Sequence, residues 1–364
     1  MGKGLIPRMR IMVFNVPAES GGALTILHDF YREAAEHDNK KIEWIFVLST
    51  PKLQAKENIT ILRFPWIKKS WGHRLVFDHI VAPKLVKKYQ VDKVLSLQNI
   101  SIPKISCNQT VYIQQALPFI KYKYKWKENK LLWIYQNIIG RVIIKSIKKS
   151  DQVIVQTKWM KDACVEKTRV NEMKINVVSP RVKKPSNAIF EPENMSLPTF
   201  FYPAVGLAYK NHSIIVEACK QLIRISKDFK VVFTLNEDEN PYISNLSKQA
   251  IEEHLPIEYV GTLSKEDVYK FYTQSILVFP SFIETFGLPL LEARLHNGII
   301  LAADCPFSRE ILADYNNAYF FNPFVAEEIV LLMEQVLTGK ILHKKRMNTL
   351  VEVDRKSIID LLSK

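Results

Sequence analysis

Cysteine is scarce in this chain. There are four in 364 residues (Cys107, Cys164, Cys219 and Cys305), each more than fifty positions from the next. No C-x-x-C pair occurs, so a zinc site or redox pair gets no support. The expectation is four reduced thiols in a cytoplasmic protein. No apolar run approaches the ~20 residues that span a bilayer. The segment Met1–Arg8 lacks the apolar core of a secretory signal, so none is expected. Gly/Ser-rich and Pro-rich tracts are also missing, which excludes a low-complexity chain.

Acidic residues are rare in one region only. The net charge is +14, but residues 1–200 hold 34 Lys+Arg against 16 Asp+Glu, and residues 51–150 hold 20 against 4. Such a field steers anionic partners to one half of the protein. Nucleic acid, an acidic lipid surface and a pyrophosphate-linked acceptor all fit that charge.

A length of 364 residues exceeds one hydrophobic core, so two domains are expected. Strand-like runs at 10–16, 41–48, 59–64, 91–97, 110–114 and 152–156 alternate with helical patterns. A second series follows at 199–202, 229–235, 257–260, 276–279 and 299–303. This alternation predicts parallel sheets covered on both faces. The periodicity lapses between Pro180 and Pro198. The expected division is 1–185, a linker over 186–198, 199–345, and a C-terminal helix in 346–364 that packs back on the first domain. The pattern from Leu131 to Lys149 reads as one core helix, and 348–362 as another helical segment.

The richest stretch runs from Phe279 to Gly298. A buried strand ends at Pro280, a loop carries Glu284 and Thr285, and Gly287 permits a tight turn. Pro289 suits a first helical turn, and Asn297-Gly298 suits the end of that helix. Backbone N–H groups from Phe286 to Leu288 would then point at the carboxyl end of a sheet, where a diphosphate fits. Glu292, a turn into the helix, is matched to a ribose diol, and Glu284 to a sugar ring.

Glu284 and Glu292, with seven residues between them in S-F-I-E-T-F-G-L-P-L-L-E-A, resemble the E-x7-E motif of family-4 glycosyltransferases. The resemblance implies the retaining GT-B fold, an α/β architecture of two Rossmann-like domains facing each other across a cleft. It implies that Glu292 binds the nucleotide ribose, that Glu284 contacts the donor sugar, and that the loop between lies against the diphosphate. By the same resemblance Gly21-Gly22 is the glycine-bearing first loop beside the donor phosphates. Lys210, in Tyr209-Lys-Asn-His212, is the diphosphate cation. The segments 15–23, 304–310 and 317–323 resemble a subgroup found in bacterial capsule and O-antigen gene clusters. Two positions depart from the pattern. Ala204-Val205 stands where a Gly-Arg pair is usual, and Gln114 where a histidine usually meets the donor sugar or acceptor.

The expectation is therefore a hexosyltransferase that takes a UDP-, GDP- or dTDP-sugar, with no cofactor and no metal. A lipid-linked or oligosaccharide acceptor would meet the basic N-terminal half at the inner face of an anionic membrane. Two alternatives stay open: a non-catalytic nucleotide-sugar or polyanion binder, and a GT-B epimerase or phosphorylase. Taken alone, a glutamate pair eight apart is commonly a solvated helix face, and Gly21-Gly22 a plain turn. The stretch Lys121–Lys130, lysine alternating with aromatics, reads equally as an exposed loop or as a contact with lipid headgroups. Nucleic acid lacks any recognition motif. Glu237-Asp-Glu-Asn240 reads as a solvated turn rather than a metal site.

Overall fold

Apolar blocks of three to seven residues, too short for stable helices, become strands once neighbours cover both their faces. The computed structural model describes residues 8–19, 21–37, 41–180, 182, 189–345 and 357–363. The chain divides into two compact units, Met1–Arg181 with Glu352–Lys364, and Val182–Val351. Met1–Pro7, Ser20 of the glycine loop, 183–188 of the linker stretch and the 346–356 part of the last helical pattern lie outside the described residues.

The first unit holds a seven-stranded sheet, β1 (Met9–Asn15), β2 (Ile42–Leu48), β3 (Ile59–Arg63), β4 (Lys93–Ser96), β5 (Asn108–Tyr112), β6 (Gln152–Val155) and β7 (Ile175–Val177). The order is β3-β2-β1-β4-β5-β6-β7, and every pairing is parallel. The connections supply α1 (Gly21–Glu36), α2 (Trp71–Val76), α3 (Ala82–Lys88), α4 (Lys130–Ile134), α5 (Gly140–Lys149) and α6 (Lys158–Thr168).

Residues on β1 alternate between two cores, which explains its unbroken apolar run. Ile11 and Val13 pack with Leu27 and Phe30 of α1, and Met12 and Phe14 pack with Phe77, Val86 and Ile102 on the opposite face. Strand β7 is a short addition that sequence patterning does not reveal.

The Leu131–Lys149 pattern is not one regular helix. Residues Tyr135–Ile139 form a π-helical turn between α4 and α5. Gln136 sits buried in it and donates to the carbonyls of Leu117 (3.1 Å) and Tyr122 (2.7 Å), while accepting from the Tyr124 N–H (3.0 Å). A wider turn re-aims a polar side chain that must be satisfied inside the core.

The second unit is a six-stranded parallel sheet, ordered β10-β9-β8-β11-β12-β13. Its strands are β8 (Thr199–Tyr202), β9 (Lys230–Phe233), β10 (Ile257–Tyr259), β11 (Ile276–Phe279), β12 (Ile300–Ala303) and β13 (Ala318–Phe321). Its helices are α7 (His212–Leu222), α8 (Pro241–Glu252), α9 (Lys265–Gln274), α10 (Leu288–Leu295), α11 (Pro306–Ile311) and α12 (Ala326–Leu337). The closing helix, α13 (Ile358–Leu362), belongs to the first unit: Ile359 and Leu362 are buried in its core. Ser357 caps α13 and donates to Glu33 of α1.

Both sheets are doubly wound, and the strand order reverses direction at β1/β4 in one and at β8/β11 in the other. Ligands of open α/β sheets sit outside the carboxyl ends of strands at such a reversal. The chain leaving β8 reaches Lys210, and the chain leaving β11 reaches Glu284.

Candidate active site

The loop after β8 turns at Asn211, which adopts a left-handed φ of +62°. Its side chain makes that turn rigid by donating to the Pro323 carbonyl at 2.7 Å. The backbone thus delivers Lys210 toward the loop after β11, where its ammonium pairs with the Glu284 carboxylate. Glu284 also accepts from Ser281 Oγ at 2.7 Å, and the Tyr202 hydroxyl holds the Lys210 carbonyl at 2.7 Å. Both partners of the ion pair keep 16% of their side chains exposed. The charges are reachable by a ligand yet mostly withdrawn from water, where electrostatic contacts strengthen.

His212, two residues on, adds no second cation. It is fully buried between the rings of Tyr202 and Phe233. Burial first, then the Lys210 charge, pushes its pKa down to about 3.

Gly287 starts α10 with a φ of +93°, and a Cβ there would meet Leu290 Cδ1 at 3.1 Å. No side chain caps that helix start. Pro289 has no N–H and the Leu290 N–H is taken by the Gly287 carbonyl at 3.0 Å, so an anion at this helix start would meet the N–H groups around Gly287 and Leu288. Pro289 lies in that first turn. At the other end Asn297, not Gly298, adopts the left-handed conformation, with φ +60°.

Glu292 projects from α10 with 13% of its side chain exposed. It accepts from the buried Tyr272 hydroxyl at 3.2 Å, and Lys265 approaches to 3.9 Å. Burial raises its pKa, opposed by Lys265 and the Tyr272 hydrogen bond. Nothing in the sequence pointed to Tyr272, which lies on the preceding helix and meets Glu292 only through packing. Ser281 was equally invisible, although its position three residues before Glu284 fits a local side-chain contact.

Val205 is exposed where the resemblance would put an arginine. The backbone beside it is pinned instead: the Gly206 N–H donates to Glu239 at 3.2 Å, and its carbonyl accepts from Asn240 at 2.9 Å. A Cβ on Gly206 would strike Ile243 at 2.5 Å, so only glycine fits. The Glu237–Asn240 acids form an exposed turn whose Asn240 caps α8. Among the described residues no group of three or more His, Cys, Asp or Glu is placed to hold a metal.

The remaining candidates belong to the first unit. Gly21, with φ +59°, and Gly22 open α1, and apart from their chain neighbours and the helix's own backbone no atom lies within 4 Å of where a Cβ on either would sit. Gln114 follows β5; its side-chain amide donates to the Leu97 carbonyl at 2.9 Å, and its N–H to Asn99.

Residues 184–350, which contain Lys210, Glu284 and Glu292, match the family of glycosyl transferases group 1. Sequence similarity also reaches the O-antigen chain mannosyltransferase RfbU of Salmonella typhimurium, 23% identical over 252 residues, or 68% of this chain. The alignment spans 66% of that relative, just under two thirds of its length.

Solved structures share the fold over nearly the whole chain. A sucrose-phosphate synthase from Thermosynechococcus elongatus superposes with a TM-score of 0.70 at 12% identity, over 91% of this chain and 90% of its own. Anabaena HepE in complex with UDP-glucose gives 0.65 at 13% identity, over 92% of each chain. The galactosyltransferase WaaB of the lipopolysaccharide outer core gives 0.67 at 15%, also over 92% of each. At these identities the likeness is one of fold, and the fold is GT-B.

Proposed function

We propose that this protein is a retaining, metal-independent glycosyltransferase of surface-polysaccharide synthesis. It moves a hexose from a nucleoside-diphosphate sugar to a lipid-linked saccharide presented at an anionic membrane face. The observation that carries the reading is the meeting of Lys210 and Glu284 at the β8/β11 reversal, beside the uncapped first turn of α10.

The donor's diphosphate takes the α10 N-terminus and the Lys210 ammonium, two preorganised positive ends aimed where charge grows as the C–O bond to the anomeric carbon breaks. Glu284 then exchanges part of its ion pair for hydroxyls of the sugar. Glu292 accepts from the ribose diol, its orientation set by Tyr272. Thr285, Phe286 and Leu288 contribute backbone along the diphosphate. Gly21, Gly22 and Gln114 belong to the unit that receives the acceptor.

Mannose is the first sugar to try, because RfbU is named an O-antigen chain mannosyltransferase. Radiolabelled GDP-mannose, UDP-hexoses and dTDP-sugars are incubated with lipid-linked oligosaccharide and wild type, Lys210→Ala or Glu284→Ala. The reading requires a glycolipid product whose new linkage keeps the donor's anomeric configuration, with both variants depleted in rate. A donor that binds but is never consumed across all acceptors identifies a binding protein instead.

A further inference from the structure

Glu292 faces a cation as well as a hydroxyl, and both come from α9. Ser264 caps that helix, its hydroxyl accepting the Asp267 N–H at 3.1 Å, so Lys265 opens α9 in a fixed backbone position. One turn on, the Tyr269 ring lies beneath the Lys265 ammonium, with 5.4 Å from Nζ to the ring centroid. A spacing of four puts these two side chains on one helix face, where cation and ring attract. From there the ammonium stands 3.9 Å from Glu292 Oε1, while the Tyr272 hydroxyl donates to Oε2 at 3.2 Å.

A diol is held best by a group that only accepts. An ionised carboxylate accepts at both oxygens, whereas a protonated one has turned an acceptor into a donor. Burial pushes Glu292 toward the protonated form. Among the described residues, the titratable groups gathered round it are Lys265, Tyr269 and Tyr272 of α9, and His296 of its own helix. Both phenols are held neutral, because burial first and then the Glu292 charge raise their pKa. Burial lowers the pKa of His296, whose Nδ1–H donates to the Glu292 carbonyl at 2.8 Å. Arg294 turns aside to the Ile311 carbonyl, and Asp267 pairs with Lys270 at 3.0 Å. Lys265 therefore brings the positive charge to this carboxylate.

We infer that Lys265 is a positioning residue of the donor site: it holds Glu292 as a charged acceptor for the ribose diol without touching the donor itself. The inference rests on the reading of Glu292 as the ribose ligand, but the coupling between the two charges exists without donor, so the two are measured separately. The ammonium is 60% exposed and screened by water, which puts its effect at the low end for a charge pair at this distance, about tenfold in the proton affinity of the carboxyl.

Lys265→Met removes the charge and keeps the length of the side chain; Lys265→Arg keeps the charge. Melting of the ligand-free full chain is followed from about pH 4 to about pH 8 for wild type, Lys265→Met, Glu292→Gln and the double variant. Without the ammonium Glu292 takes up its proton at higher pH, so stability is lost over a wider span as pH climbs. The melting gap between wild type and Lys265→Met therefore opens toward neutral pH, and in the Glu292→Gln background it stays constant. Calorimetry with UDP-glucose and GDP-mannose reads the consequence for binding. Lys265→Met matches wild type within about twofold at the alkaline end, falls about tenfold behind at the acid end, and Lys265→Arg follows wild type. A melting gap that ignores pH, or one whose pH dependence survives Glu292→Gln, overturns the inference. So does a loss of affinity equal at every pH, which would make Lys265 a donor contact, or an arginine variant that behaves like the methionine one. If Glu292→Gln binds both nucleotides as tightly as wild type, the ribose reading fails, and the melting series still decides whether Lys265 holds the charge on Glu292.

Discussion

Replacing Glu292 by Gln separates what that carboxylate costs the empty protein from what it contributes to the donor complex. Burial raises the pKa of Glu292 above its ordinary value of 4.5, because the charged form is poorly solvated beside α9. A folded pKa raised above the unfolded one means stability that is full below pH 4.5 and lost as pH climbs through the folded value. At neutral pH the unliganded protein therefore carries an unfavourable charge. Gln keeps an oxygen for the Tyr272 hydroxyl while removing that charge, so Glu292→Gln melts at or above the wild-type temperature.

Donor binding moves the other way. Exchanging two charge-assisted hydrogen bonds to a ribose diol for neutral ones forfeits roughly 1–1.5 kcal/mol each. That is about 2–3 kcal/mol, a 30- to 150-fold rise in Kd. Titration calorimetry with the nucleotide sugar that best stabilises wild type reads both effects. Wild-type affinity also weakens as pH falls through a window above 4.5, and the variant's does not. A variant that binds donor as tightly as wild type refutes the ribose assignment. One that melts markedly lower refutes the burial argument.

Other expectations test single links. Lys210→Ala removes the cation at the diphosphate and should cut the transfer rate by about a hundredfold or more, with the fold intact by circular dichroism. Tyr272→Phe leaves Glu292 without its 3.2 Å donor, so the pH window for donor binding should shift upward while kcat changes little. Gly287→Ala forces an L residue to a φ of +93° and should cost about 1–3 kcal/mol in chemical denaturation, and more in donor affinity. Ile359→Ala opens a cavity where α13 meets α1 and should cost about 2–4 kcal/mol of stability without altering donor binding.

The fold was legible wherever burial imposes a period. Strands covered on both faces read as solid apolar runs. The π turn at Tyr135–Ile139 was not legible, because the residue that causes it, Gln136, earns its place through three partners distant in sequence. Strand β13 lies inside the 317–323 segment, whose resemblance to a motif says nothing of its backbone. At the site, the turn at Gly287 and the glutamate spacing lie in one contiguous stretch and could be read directly. The pairing of Lys210 with Glu284 depends on which strands flank a topological reversal, and local sequence does not encode strand order. Tyr272 is the clearest example: its value to Glu292 exists only once α9 and α10 pack together.

The account stands or falls on where a donor's pyrophosphate lies. A crystal structure of the protein with bound nucleotide sugar should find phosphate oxygens within hydrogen-bonding distance of Lys210 Nζ and of the backbone N–H groups at Gly287 and Leu288. A nucleotide bound anywhere else, with the Lys210–Glu284 pair left undisturbed, would contradict it.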